Sequence, residues 1–173
     1  MNVLELFKNI TTFVFDVDGV LTDGSILVLP DGVQARRMNI KDGYALQLAV
    51  KKGYHVVVIS GGNSPEVMDR LNKLGITDVF MKVTNKLEVL ENFMLQYQIL
   101  PQHVLFMGDD IPDLDVLKHA GLAACPADAV NEIKELAHYI SPVKGGEGCA
   151  RDVIEKTMKL RSHWNDDVSV RSM

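Results

Sequence analysis

Short runs of β-branched and aromatic residues recur along this chain, each parted from the next by an amphipathic stretch, and this alternation limits the fold more than any other feature. The runs Thr12 to Phe15, His55 to Ile59, Val79 to Val83, Val104 to Met107 and Leu122 to Cys125 read as strands buried on both faces. Between them, Tyr44 to Lys52, Pro65 to Leu74, Lys86 to Tyr97, Leu114 to His119 and Ala129 to Ala137 read as helices. A last helix is expected over Ala150 to Leu160. Ser64 precedes Pro65 as an N-cap, and Gly75 stops that helix. Strands alternating with helices predict an α/β fold, a doubly wound parallel sheet covered on both faces. Ligands of such sheets gather beyond the carboxyl ends of the strands, so the residues that follow each strand are the ones to inspect.

One segment breaks the alternation. Ser25 to Asn39 has no helical period; Ile26 to Leu29 and Val33 to Met38 flank Pro30-Asp31-Gly32 and predict a β-hairpin turning at Asp31-Gly32. With 173 residues, the chain fits one domain over 1–161, followed by a polar tail over 162–173 that is expected to be loose. Lys and Arg total 18 against 23 for Asp and Glu, so the basic surplus of a general nucleic-acid binder is missing. Local cations could still hold a small anion. No apolar run approaches the ~20 residues that cross a bilayer, and a cytoplasmic protein with no membrane partner is expected. Cys125 and Cys149 form no CxxC pair and read as reduced core residues. The five histidines share no ligand spacing.

The strand ends carry the chemistry. The first delivers Asp16-Val17-Asp18-Gly19, the second Ser60-Gly61-Gly62, the third leads to Lys86, and the fourth ends in Gly108-Asp109-Asp110 with Asp113 close behind. Phosphoryl transfer needs these types. A carboxylate can attack phosphorus and split one hard displacement into two easier ones. Its repulsion from a phosphate dianion calls for a bridging cation, and the hard oxygens of Asp16 and Asp109 suit Mg²⁺. Lys86 and the Ser60 hydroxyl would hold phosphoryl oxygens, and the backbone near Gly19 and Gly61 can approach them closely. Asp18, two residues beyond Asp16, faces the same side of an extended chain and is placed to protonate the leaving oxygen and then activate water.

DVDG, SGG, a lone lysine and GDDIPD, in that order and over essentially the whole chain, resemble the four motifs of the haloacid dehalogenase superfamily. The resemblance implies a Rossmann-like sheet with a minimal cap, here the hairpin. Asp16 would be the nucleophile, Asp18 the acid/base, Ser60 and Lys86 phosphate holders, and Asp16, Asp109 and the Asp18 carbonyl the magnesium ligands. Asp110 and Asp113 would bind metal or orient its shell.

DVDGVLTDGSI, NIKDGYALQLAVKKG and KGGEGCARDVIE resemble the 3-deoxy-D-manno-octulosonate 8-phosphate phosphatase family. That likeness implies hydrolysis of a phosphorylated sugar acid in lipopolysaccharide precursor synthesis. It also implies a homotetramer in which the hairpin joins subunits and partly covers a neighbouring site. Asn39, Ile40, Lys41, Asp42 and Gly43 would contact substrate, although Lys41 and Asp42 equally suit a helix's first turn. Arg70 would hold phosphate or sugar. Gly145, Gly146 and Gly148, with Arg151, match a segment that can close over a site; Arg151 could instead pair with Glu155 one turn on. Where many relatives carry an arginine after the Gly61 position, this chain has Gly62. A sister family acts on a nine-carbon keto-sugar phosphate. A remoter alternative, the phospho-accepting receiver domain, places its phosphorylated Asp after the third strand, where this chain has no acid.

Overall fold

The computed structural model describes residues 2–173. Its elements run α1 (Val3–Asn9), β1 (Thr12–Phe15), β2 (Leu27–Val28), β3 (Gln34–Ala35), α2 (Ile40–Lys51), β4 (His55–Ile59), α3 (Pro65–Lys73), β5 (Asp78–Phe80), α4 (Lys86–Tyr97), β6 (Val104–Met107), α5 (Leu114–His119), β7 (Leu122–Cys125), α6 (Asn131–Leu136), β8 (Tyr139–Ile140) and α7 (Cys149–Leu160). The central sheet has six strands in the order β5-β4-β1-β6-β7-β8, all parallel. The doubly wound α/β expectation holds.

Strand residues alternate between two cores, as period two requires. Phe13, Phe15, Val56, Val58, Leu105 and Met107 face α1, α2 and α7, while Val14, Val57, Ile59 and Phe106 face α4, α5 and α6. With both faces covered, β1 sits at the centre and ends beside β4 and β6, in the registers Phe15↔Val58 and Phe15↔Met107. That register puts the residues after three strands at one rim.

The hairpin forms as β2 and β3, antiparallel with Leu27 opposite Ala35. Its turn lies where expected: the Gly32 N–H donates to the Leu29 carbonyl at 3.0 Å, and Leu29 N–H to Val33 O at 2.9 Å. Leu27 and Val28 are 64% and 68% exposed.

Several boundaries differ from expectation. The third strand ends at Phe80, because Lys82 N–H turns to Gly62 O (2.9 Å) and Val83 N–H to Ser60 O (3.0 Å), wrapping the Ser60 loop rather than extending the sheet. Helix α2 begins at Ile40, four residues before the expected Tyr44, because Asn39 caps it by accepting from Lys41 N–H at 2.8 Å. Elements α1 and β8 had no counterpart in the sequence reading; a two-residue strand carries no readable period. The tail is not loose. It returns over α2, where the Tyr44 hydroxyl donates to Asp167 O (3.2 Å), Lys51 pairs with Asp167 (2.6 Å) and Gln47 donates to Arg171 O (2.7 Å). Val170 and Met173 pack on the core. Among the described residues no helix is long and apolar enough to cross a membrane.

Candidate active site

Asp16, Asp18, Ser60, Gly61, Lys86, Asp109, Asp110 and Asp113 line one cavity of about 310 Å³ at the carboxyl rim. Each reaches it through local structure. Asp16 follows β1, its N–H bonded to Met107 O at 3.1 Å. The chain then makes one tight turn over Val17–Leu21, interrupted at Gly19, whose φ is +87°. A side chain at Gly19 would be strained there, and its β-carbon would strike the Asp109 carboxylate. Ser60 follows β4, and its Oγ accepts from Gly62 N–H at 3.1 Å. Lys86 opens α4, whose N-cap Asn85 accepts from Glu88 N–H at 3.1 Å. Asp109 and Asp110 follow β6.

Charge sets the character of this cavity. Lys86 Nζ lies 2.9 Å from Asp16 Oδ1 and 2.7 Å from Asp113 Oδ1. Burial disfavours its ammonium, but Asp16 and then Asp113 outweigh that and hold its pKa above the ordinary value. Burial, then Asp113, pushes Asp16 up to about 6 against the pull of Lys86. Burial, followed by Asp16, Asp113 and Asp110, pushes Asp109 up to about 8. Carboxylates outnumber the ammonium, so the cavity favours added positive charge.

A hard divalent cation fits this arrangement. One oxygen each of Asp16, Asp109 and Asp113 lies within 4.8 Å of the others. Asp109 Oδ1 is buried with no hydrogen-bond partner among the described residues, as a ligand atom awaiting a cation would be. Asp113 is differently engaged. Its Oδ1 holds Lys86, and its Oδ2 accepts from Asp109 N–H at 3.0 Å, so it orients the lysine and the backbone of Asp109. Asp110 caps the next turn by accepting from Ile111 N–H at 2.8 Å.

The other sequence candidates lie away from this cavity. Asn39 caps α2, Ile40 and Lys41 are exposed, and Gly43 lies against Met173 O. Asp42 is only 2% exposed; its Oδ1 accepts from Arg151 N–H at 2.8 Å, and its Oδ2 has no partner among the described residues. Arg70 donates to Met173 O at 2.7 Å and lines a separate cavity of about 460 Å³ between the hairpin and α3, with Ile40 and Arg36. The glycine-rich segment after β8 supports the site from beneath. Gly146 N–H donates to Val20 O at 2.9 Å, and Gly145 N–H to Asp128 at 2.9 Å. Arg151 pairs with Glu155 at 3.0 Å and lies 5.4 Å from the centre of the Trp164 ring.

Sequence reasoning missed Arg36. Its Nε donates to Asp18 Oδ1 at 2.6 Å, while the adjacent Arg37 points outward to Asp23. Both arginines fall in the Val33 to Met38 run expected as a hairpin strand, where successive residues face opposite ways, and that was the available signal.

Comparison with known proteins agrees with the geometry. A family model described as haloacid dehalogenase-like hydrolase matches residues 72–151. The 3-deoxy-D-manno-octulosonate 8-phosphate phosphatase of Yersinia pestis is 32% identical over 154 residues, covering 89% of this chain and 82% of the relative. A crystal structure of the Yersinia pestis phosphatase superposes with a TM-score of 0.91 at 31% identity, covering 93% of this chain and 87% of that one. A Moraxella catarrhalis phosphatase of the same name, crystallised with magnesium ion, phosphate ion and a KDO molecule, gives a TM-score of 0.88 at 30% identity, with 91% of each chain covered.

Proposed function

Because the chain belongs to the 3-deoxy-D-manno-octulosonate 8-phosphate phosphatase family of haloacid dehalogenase-like hydrolases, we propose that it hydrolyses the phosphomonoester of that eight-carbon sugar acid, with Asp16 as nucleophile. The free sugar acid would supply lipopolysaccharide synthesis in the cytoplasm. One observation carries the reading: the buried Asp16 carboxylate lies 2.9 Å from Lys86, beside an Asp109 oxygen that no described residue satisfies.

Asp16 attacks phosphorus, forming an aspartyl phosphate as the ester P–O bond breaks. Asp18 gives its proton to the departing alkoxide, then takes one from the water that attacks the aspartyl phosphate and releases inorganic phosphate. Lys86, steered by Asp113, and the Ser60 hydroxyl hold the non-bridging oxygens as charge shifts among them. Asp16, Asp109 and the Asp18 carbonyl would hold Mg²⁺. Bound there, it offsets the repulsion between the carboxylate and the phosphate.

The assembly belongs to the same reading. Leu27 and Val28, exposed on the hairpin, suit burial against other copies of the chain in a homotetramer, which would also bring Asn39–Gly43 and Arg70 of one subunit near a neighbour's site.

Phosphate release from the eight-carbon sugar phosphate tests the proposal. Turnover should need Mg²⁺, stop in EDTA and vanish in Asp16→Asn with the melting temperature retained. A near-normal kcat in Asp16→Asn would remove it from the nucleophile's role. A higher kcat/KM on the nine-carbon homologue would reassign the substrate.

A further inference from the structure

We propose that Arg36 is a positioning residue that aims Asp18, and that the missing side chain at Gly62 leaves it room to do so. The inference deepens the reading of Asp18 as proton carrier and rests on it.

The hairpin projects into solvent, yet the Arg36 side chain is only 5% exposed, against 83% for its neighbour Arg37. Its Nε and Nη2 both reach the Asp18 carboxylate, at 2.6 and 3.4 Å, and Nη1 donates to Gln34 O at 3.2 Å. An exposed ion pair constrains little, because both side chains keep their freedom. A forked guanidinium withdrawn from water is different, since its planar donors fix the carboxylate's rotation as well as its position. Among the described residues, Arg36 is the one side chain that hydrogen-bonds Asp18. Without it, no other side chain would set the direction of that carboxyl group.

Gly62 completes the arrangement. A β-carbon built there would lie 3.2 Å from Asp18 Oδ2 and 3.3 Å from Arg36 Nη2, so even alanine crowds the pair. The second strand end therefore contributes empty space, and the hairpin fills it with a cation.

Aim matters because the Asp18 proton must travel to the ester oxygen as the P–O bond breaks and its electron pair leaves with that oxygen. Proton transfer requires the two oxygens within hydrogen-bond reach. Arg36 neither gives nor takes that proton. Because it is carried by the hairpin, displacement of the hairpin displaces the acid.

The test compares kcat/KM of the Mg²⁺-loaded enzyme on two esters. A primary alkyl phosphate needs its leaving alkoxide protonated, whereas p-nitrophenyl phosphate expels a stable phenolate. This constant reports events up to the first irreversible step, so aspartyl phosphate hydrolysis does not enter. Asp18→Asn should lower the alkyl-to-aryl ratio by about 10²–10⁴. Arg36→Ala should lower it by about tenfold or more, as small misplacements of reacting groups do, and Arg36→Lys should recover part. Gly62→Ala should lower the ratio in the parent enzyme and add little in the Arg36→Ala background. Equal losses on both esters in Arg36→Ala would make Arg36 a general phosphate binder and overturn the inference. An unchanged ratio in Asp18→Asn would instead overturn the acid/base reading itself.

Discussion

At the scale of single residues, buried carboxylates set both the chemistry and a cost in stability. Asp42 lies outside the cavity, yet burial pushes it up to about 6 from 3.8, and Arg151 N–H satisfies only one of its oxygens. Between those two values the folded chain holds a proton that the unfolded chain has lost, so stability rises as pH falls through 6. The displacement corresponds to about 3 kcal/mol at most. Asp16 and Asp109 are shifted in the same direction, but saturating Mg²⁺ should keep both ionised and remove their share. Melting curves in Mg²⁺ from pH 7.5 to 4.5 should therefore retain a slope that Asp42→Asn flattens, with the variant the more stable at the alkaline end. A parallel pair of curves would show that Asp42 does not titrate there. Asp16, Asp18, Lys86 and Asp109 were legible because each follows or approaches a strand end. Arg36 was not, since the hairpin's inward face depends on how the hairpin folds back, which residue order alone leaves open.

Among the elements, the turn over Val17–Leu21 concentrates the most constraint. It must carry Asp18 and bring Gly19 against the Asp109 carboxylate, while Gly146 N–H and Cys149 Sγ hold it from below through Val20 O, at 2.9 and 3.2 Å. Gly19→Ala meets a positive φ and a clash with the Asp109 carboxylate together. We expect kcat to fall at least about a hundredfold, by the logic of misplaced reacting groups, and Mg²⁺ to bind more weakly by titration calorimetry. Unaltered metal affinity would show that the turn has slack. The hairpin turn at Asp31-Gly32 was readable from its residues, as were the N-cap Ser64 and Pro65 at the first helical position. The docking of the tail was not: part of it runs through the backbone carbonyls of Asp167, Arg171 and Met173, and any sequence offers carbonyls.

For the whole molecule, strand order decides the outcome. Placing β1 between β4 and β6 sets Asp16 centrally, with the Ser60 loop on one side and the Asp109 loop on the other. Alternation of strands and helices made this architecture legible, because few other arrangements bury apolar strands on both faces. The assembly follows from what the fold leaves uncovered. If the chain assembles as the proposed tetramer, Leu27→Asp with Val28→Asp should yield smaller species in sedimentation and lower kcat/KM on the sugar phosphate. A double variant that still sediments as a tetramer would move the interface away from the hairpin.

Helices α1 and α7 lie side by side on one face, tied where the Arg161 guanidinium takes the carbonyls of Lys8 and Ile10 at 3.1 and 2.7 Å. The first helix thus meets the end of the last one beside Ile10, before β1 begins, whereas Asp16 follows the other end of that strand. A gene rearranged to rejoin the docked tail to α1 through an added linker and to open at Asp31-Gly32 would preserve every parallel strand neighbour. Such a permuted protein should still assemble its scaffold, while the severed loop could no longer steer its guanidinium, so folding and proton delivery would come apart in one molecule.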